Sequence, residues 1–216
     1  MKFLMSYSGG KDSALAMYRM IKAGHEPVAF TTTINIKQGR SWFHGIQLEL
    51  LDTLSDSLGI PFIPCECEPD QYTQALEDGL AKGKALGAAA CVFGDIDIDG
   101  HRTWNTERCE RLGLECIMPL WQESRESLTR EVIELGFIAL VKVIMTEYLD
   151  ESFLGKRLDH ALVERIKAAG ADPCGENGEY HTFVCDGPIF KRPIAVEPGE
   201  IIDFGRHKAI DLRCRG

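Results

Sequence analysis

Six residues, Ser8-Gly9-Gly10-Lys11-Asp12-Ser13, constrain this chain more than any other stretch. The apolar run Phe3 to Tyr7 before them reads as a short buried strand. Ala14 to Lys22 after them reads as a helix closed by Gly24. Paired glycines at such a junction let the backbone turn sharply and approach a ligand closely. The first helix amides have no helical partner, and the helix dipole adds partial positive charge there. Ser8 and Ser13 contribute hydroxyls and Lys11 a full positive charge. A helix cap alone needs one such residue. The loop therefore reads as a phosphate cradle, although its spacing is neither that of a Walker A sequence nor that of a Gly-x-Gly-x-x-Gly turn.

The rest of the first half alternates strand and helix. Pro27 to Thr33, Ile60 to Cys65, Ala88 to Phe93 and Glu115 to Met118 read as strands, and they are apolar rather than alternating. Between them lie an amphipathic helix through Leu48, Leu51, Leu54 and Leu58 ended by Gly59, a helix from Asp70 to Leu86, and one from Trp104 to Leu112. Apolar strands separated by helices imply a five-stranded parallel sheet covered on both faces, a doubly wound α/β layer. Ligands of such sheets sit outside the carboxyl ends of the strands, where the glycine loop falls. After about residue 122 the rhythm changes. A helix from Ser124 to Leu135, a strand from Phe137 to Ile144 and a helix from Leu158 to Ala169 lead to short strands at 183–184, 188–190, 200–204 and 209–212. The expected organisation is one domain over 1–122 and a smaller α+β domain over 123–216.

Composition excludes several classes. No apolar run is long enough to span a bilayer, and the N-terminus runs straight into the first strand with no room for a signal peptide. The expected location is the cytoplasm, with no membrane partner. The eight scattered cysteines, none in a Cys-x-x-Cys pair, are then thiols. A net charge of −9 disfavours nucleic acid as a partner. The oligomeric state is open, a homodimer included.

Two further stretches carry chemistry. Gly94-Asp95-Ile96-Asp97-Ile98-Asp99-Gly100 begins like a calcium loop, but Thr106 stands where the bidentate Glu belongs and a strand precedes it. Asp95 instead lies at the carboxyl end of the fourth strand, placed to hold a magnesium water or a substrate amine. Asp97 and Asp99 read as solvated loop charges. Gly175-Glu176-Asn177-Gly178-Glu179-Tyr180-His181-Thr182 concentrates two carboxylates, a His and a Thr before an apolar strand. It suits either a glycine-rich hairpin entry with exposed acids or a site binding ammonia, magnesium or another cation.

Ser-Gly-Gly-x-Asp-Ser resembles the pyrophosphate loop of the ATP pyrophosphatases, which have the Rossmann-like adenine-nucleotide alpha-hydrolase fold and cleave ATP to AMP and pyrophosphate. Four stretches together resemble the diphthine–ammonia ligase family: the loop; Trp42-Phe43-His44 with Leu58-Gly59-Ile60-Pro61; Gly94-Asp95-Ile96 with Cys109, Leu112-Gly113-Leu114 and Pro119-Leu120-Trp121; and Gly175-Glu176-x-Gly178-Glu179-Tyr180-x-Thr182. The similarity spans nearly the whole chain. It implies that Ser8, Gly9, Gly10, Lys11, Asp12 and Ser13 bind the ATP phosphates, with Thr31 and Thr32 near the adenosine. It further implies that His44, Gly94 and Asp95 line the site, and that Glu176, Gly178, Glu179 and Thr182 face the substrate. Lys11, Asp12, Glu176 and Glu179 are the expected catalytic residues, and Asp12 and Asp95 the expected magnesium ligands. The departures lie on the substrate side: Asp99 to Asn105, including Trp104, replaces a Tyr-Gln-Arg-like segment, Asn177 stands where Gly is common, and His181 replaces an acid.

The expected activity is an ATP-dependent amide-forming ligase, with ATP and Mg2+ as cofactors. A carboxylate on a protein side chain or small molecule is adenylylated, and ammonium supplies the nitrogen. Two other activities fit the same fold: a sensor that binds ATP or AMP without turnover, and sulfur transfer onto a nucleobase through a reactive Cys174 or Cys109.

Overall fold

The computed structural model describes residues 1–215. Strand β1 (Lys2–Ser6) lies between β2 (Glu26–Asn35) and β5 (Ala90–Val92), parallel to both. Outside them run β4 (Phe62–Cys67) beside β2 and β6 (Glu115–Ile117) beside β5, also parallel. The parallel order β4-β2-β1-β5-β6 is the expected five-stranded sheet. A two-residue strand, β3 (Arg40–Ser41), adds an antiparallel edge on Ile34 and Asn35. The strand order reverses direction at β1, so the crevice at its carboxyl end is the natural ligand site.

Alternation along β1 shows why both faces must be covered. Phe3, Met5 and Tyr7 enter one core with Leu15 and Met17 of α1 (Lys11–Lys22) and Leu50, Leu51 and Leu54 of α2 (Leu48–Leu58). Leu4 enters another with Leu76 and Leu80 of α3 (Tyr72–Ala85) and Cys109 of α4 (Asp99–Arg111). Each fully buried side chain of this size contributes roughly 1.5–3 kcal/mol through removal from water. Gly59 caps α2 at φ +66°, in the left-handed region where a Cβ is penalised. Helix α4 starts at Asp99, a turn and a half earlier than the run from Trp104 suggests.

The second sheet is antiparallel, ordered β8-β7-β10-β9, from β7 (Ile138–Met145), β8 (Tyr180–Asp186), β9 (Val196–Asp203) and β10 (His207–Cys214). Helices α5 (Arg125–Glu134) and α6 (His160–Ala168) enter the shared core through Leu128, Val132, Leu162, Val163 and Ile166, with α5 against α1. Ser124 opens α5, its hydroxyl accepting from the Ser127 amide. The segment 188–190, expected as a strand, is not one; Phe190 N turns back onto Gly187 O. All eight cysteines are free thiols. No helix of the described residues is long and apolar enough to cross a membrane.

Candidate active site

The glycine loop joins β1 to α1, and the second sheet braces it. Gly9 adopts φ +80°, and a Cβ there would lie 2.7 Å from Ile46 Cδ1. A Cβ on Gly10 would lie 2.6 Å from His44 Cε1. Gly94, at the end of β5, sits so close under α1 that its Cβ would meet Ser13 N at 2.8 Å. From β8, Val184 N donates to Gly9 O at 2.8 Å, and Thr182 Oγ1 accepts from Lys11 N at 3.0 Å. One of the first helix amides is therefore already satisfied, by Thr182. The amides of Asp12 and Ser13 follow in the first turn, beyond reach of a helical carbonyl.

The loop opens on a cavity of about 590 Å³, a volume suited to a small molecule. The structure brings together Ser8, Lys11, Asp12, Ser13, Thr31, Thr32, His44, Gly94, Asp95, Trp104, Glu176 and Thr182 in its lining. Four expected residues are not in that lining. Gly9 and Gly10 shape the turn behind it, and Gly178 serves a turn at φ +88°. Glu179 was expected to face substrate; instead its buried carboxylate accepts from the amides of Asp172 and Asn177 and from Asn177 Nδ2 at 3.1–3.2 Å. It organises the loop that presents Glu176. Thr182 likewise spends its hydroxyl on the Lys11 amide, and Thr31 directs its hydroxyl to Ile63 O at 2.8 Å.

Charge in the cavity is unevenly held. Lys11 Nζ pairs with Asp12 Oδ2 at 2.8 Å, donates to Cys174 O and lies 5.3 Å from the Tyr180 ring centre. Burial pulls its pKa down, but Asp12, with Cys174 and Tyr180, outweighs that and holds it well above the ordinary value. Burial, then the charge of Asp12, pushes Glu176 up to about 7. Burial and Asp12 also push Cys174 up to about 12, so it stays a thiol whose Sγ donates to Asp12 Oδ1 at 3.4 Å. Burial takes His44 down to about 4, so its ring is neutral, with Nδ1 donating to Thr182 O at 3.0 Å. Its neighbour His181, ring centres 4.7 Å apart, is lowered to about 3 by burial and by His44.

Asp12, Cys174 and Glu176 place one ligand atom each within 4.8 Å of one another. Magnesium takes oxygen, so the two carboxylates fit it and the thiol does not. Asp95, expected beside Asp12 in that role, is not part of this group: its oxygens accept from His101 Nδ1 and Asn105 Nδ2, both at 3.0 Å. These two partners stand four residues apart on one face of α4. Part of the cavity wall is aromatic. Tyr72 lies 6.1 Å from Trp42, 6.3 Å from Phe43 and 6.1 Å from Trp104, centre to centre.

Arg125 ties the two loops beside the cavity together. Its guanidinium makes a two-point contact with Asp97 at 2.6 and 2.7 Å and donates to Asp172 Oδ2 at 2.9 Å and Asn177 Oδ1 at 3.3 Å. Asp97 is thus ion-paired, not merely solvated as expected. Asp172 Oδ1 in turn accepts from the amides of Cys174 and Gly175, next to Glu176. Arg125→Ala is expected to raise KM for the reaction about threefold, since a partly exposed charge pair contributes roughly 0.2–1 kcal/mol of ordering. Steady-state kinetics with an unchanged KM would contradict this. Tyr72, Asn105 and Arg125 were not singled out in the sequence. For Tyr72 the position just past a strand's carboxyl end was an available signal; Arg125 had none.

Residues 1–116 match the family model described as the diphthamide synthase N-terminal domain, and residues 124–213 match its C-terminal domain. The human diphthine–ammonia ligase is 30% identical over 224 residues, covering 90% of this chain and 82% of that protein. The Schizosaccharomyces pombe diphthine–ammonia ligase is 27% identical over 247 residues, covering 100% of this chain but 39% of its own length. A solved structure described as a predicted tRNA methyltransferase subunit from Methanocaldococcus jannaschii aligns with a TM-score of 0.46 at 17% identity, over 90% of this chain and 100% of that one. The diphthine–ammonia ligase relatives define an enzyme of the ligase class that forms C–N bonds. The chain belongs to the diphthamide synthase family.

Proposed function

We propose that this ligase splits ATP into AMP and pyrophosphate by adenylylating a substrate carboxylate, and then joins ammonia to the activated acyl group. The observation that carries this reading is the convergence of Lys11, Asp12 and Ser13 with Glu176 on one cavity at the switch point of the sheet. Residues 1–122 hold the nucleotide and residues 123–216 supply the substrate side. The triphosphate lies along Ser8 to Ser13, where Lys11 and the first-turn amides offset the charge that grows as pyrophosphate leaves. Asp12 is the residue that would hold magnesium, which when bound shields phosphate charge, and this leaves the Glu176 carboxylate free. The carboxylate oxygen attacks the α-phosphorus and the bond to the pyrophosphate oxygen breaks. Glu176 then holds ammonium and takes a proton from it, nitrogen attacks the acyl carbon, and AMP leaves. Diphthine, the carboxylate in the relatives' name, is the proposed acceptor, with Trp104 on its side of the cavity.

The test is product analysis with α-labelled ATP, magnesium and ammonium, with and without a translation-factor fraction. AMP and pyrophosphate that appear only with the acceptor fraction support the reading. ADP, or ATP left intact throughout, overturns it.

Sulfur transfer needs a thiolate, and the two candidate thiols do not supply one. Cys174 is held at about 12. Cys109, despite a hydrogen bond with Cys116, is pushed up to about 12 by its bond with Cys91 and by burial. Cys174→Ser and Cys109→Ser are each expected to retain turnover within about threefold, the scale of a small change in packing. Loss of turnover together with loss of a sulfur-labelled intermediate would restore the sulfur chemistry.

A further inference from the structure

The segment between Arg40 and Gln47 carries Trp42, Phe43 and His44 into the cavity wall, and it is strained. Phe43 has φ +64°, and His44 N donates to Trp42 O at 2.7 Å across it, closing a three-residue turn of the uncommon positive-φ form. Phe43 is left 72% exposed while it lines the cavity. A side chain in that backbone region persists only where the surroundings over-determine it.

Part of what over-determines it is local: Ser41 N donates to Ile46 O at 2.8 Å, Gly45 N to Ser41 O at 3.1 Å and Ile46 N to Ser41 Oγ at 3.0 Å. The rest lies on β10, far along the chain. The buried Asp211 carboxylate accepts from Arg40 Nη1 at 2.7 Å, from Gln47 Nε2 at 2.9 Å on both oxygens, and from Arg213 Nε at 3.2 Å. Arg40 Nη1 also donates to Gly45 O at 3.2 Å. One carboxylate therefore holds both ends of the segment that carries the turn. Beneath it Lys142 is buried, with Nζ donating to Ile210 O and 3.9 Å from where a Gly45 Cβ would stand. Asp211 is the negative charge that offsets both Arg40 and Lys142. The position of the turn reaches the phosphate loop through His44, which packs on Gly10 and donates to Thr182 O.

We propose that Asp211 is a positioning residue for the cavity: it touches no cavity space itself but pins the strained turn that sets Trp42, Phe43 and His44. As a statement about nucleotide affinity, this rests on the cavity being the ATP site. Asp211→Ala should raise the ATP dissociation constant and KM about tenfold while changing kcat less than about threefold, because the turn relaxes while the Lys11 side chain keeps its own partners, Asp12 and Cys174 O. Asp211→Asn, which keeps the shape and one acceptor, should fall between. Should Asp211→Ala fail to fold, Gln47→Leu removes two of the four hydrogen bonds without exposing a buried charge and should move KM in the same direction. A readout free of ATP is acrylamide quenching of Trp42 in a Trp104→Phe, Trp121→Phe background, where it is the remaining tryptophan. Quenching should increase when Asp211→Asn is added. A lowered melting temperature with unchanged KM and unchanged Trp42 quenching would overturn the proposal. Increased quenching in a protein that binds no ATP would retain it and discard the nucleotide reading instead.

Discussion

Lys11→Ala is expected to reduce AMP formation by at least about 10²–10³-fold, the usual cost of removing one preorganised charge-stabilising group. Among the described residues, Lys11 is the one lysine or arginine in the cavity lining, and it stands in the first turn of α1 where the triphosphate is proposed to lie. Its removal also leaves Asp12 without its 2.8 Å partner, so the cavity gains net negative charge just where phosphate must enter. The fold should survive. Thr182 bonds the backbone amide at position 11, not the side chain, and Asp12 is about a quarter exposed and can be resolvated. Labelled-ATP assays beside circular dichroism check both halves. Continued AMP formation by a folded Lys11→Ala protein would remove the phosphate-side assignment.

Glu176→Gln should cost about 10²–10⁴-fold in the ammonia-dependent step, the range for a lost general base. The wild-type rate should rise with pH through about 7 as Glu176 gives up its proton, and that inflection should vanish in the variant. Stability moves in the opposite direction. The folded pKa of about 7 lies above the ordinary 4.5, so the unfolded chain ionises first and the folded state loses stability as pH rises between those values. Glutamine does not titrate, so the variant's melting temperature should decline less across that window. A pH–rate profile that keeps its inflection near 7 in Glu176→Gln would assign the base elsewhere.

Much of the fold was legible because its determinants are local. The apolar strands and amphipathic helices of the first half announce themselves by period, and Gly59 and Ser124 mark helix ends by their own backbone and side-chain chemistry. The misreadings share a cause. Strand β3 is two residues long and exists only because β2 is beside it, while 188–190 is apolar yet turns back on Gly187. Helix α4 begins at Asp99, and its first two turns set His101 and Asn105 on Asp95, a contact no propensity expresses. Glu179 looked like a site acid because its type and spacing match Glu176. Burial against two backbone amides, which spacing does not encode, made it a loop organiser.

Taken alone, the amino-acid order determined the phosphate loop, the parallel layer around it and the richness in acids of the segment from Glu176 to Thr182. Each follows from neighbours within a turn or a strand. Tertiary structure decided which of those groups meet. The bonds from Lys11 N to Thr182 and from Arg40 to Asp211 each span 171 residues. Contacts of that reach form only when two sheets bury a shared core, and no local pattern carries their register. The charge on Glu176 belongs to the same class, since its proton is governed by burial and by Asp12, a residue 164 positions away (176 minus 12) brought alongside by the packing of β8 on the loop.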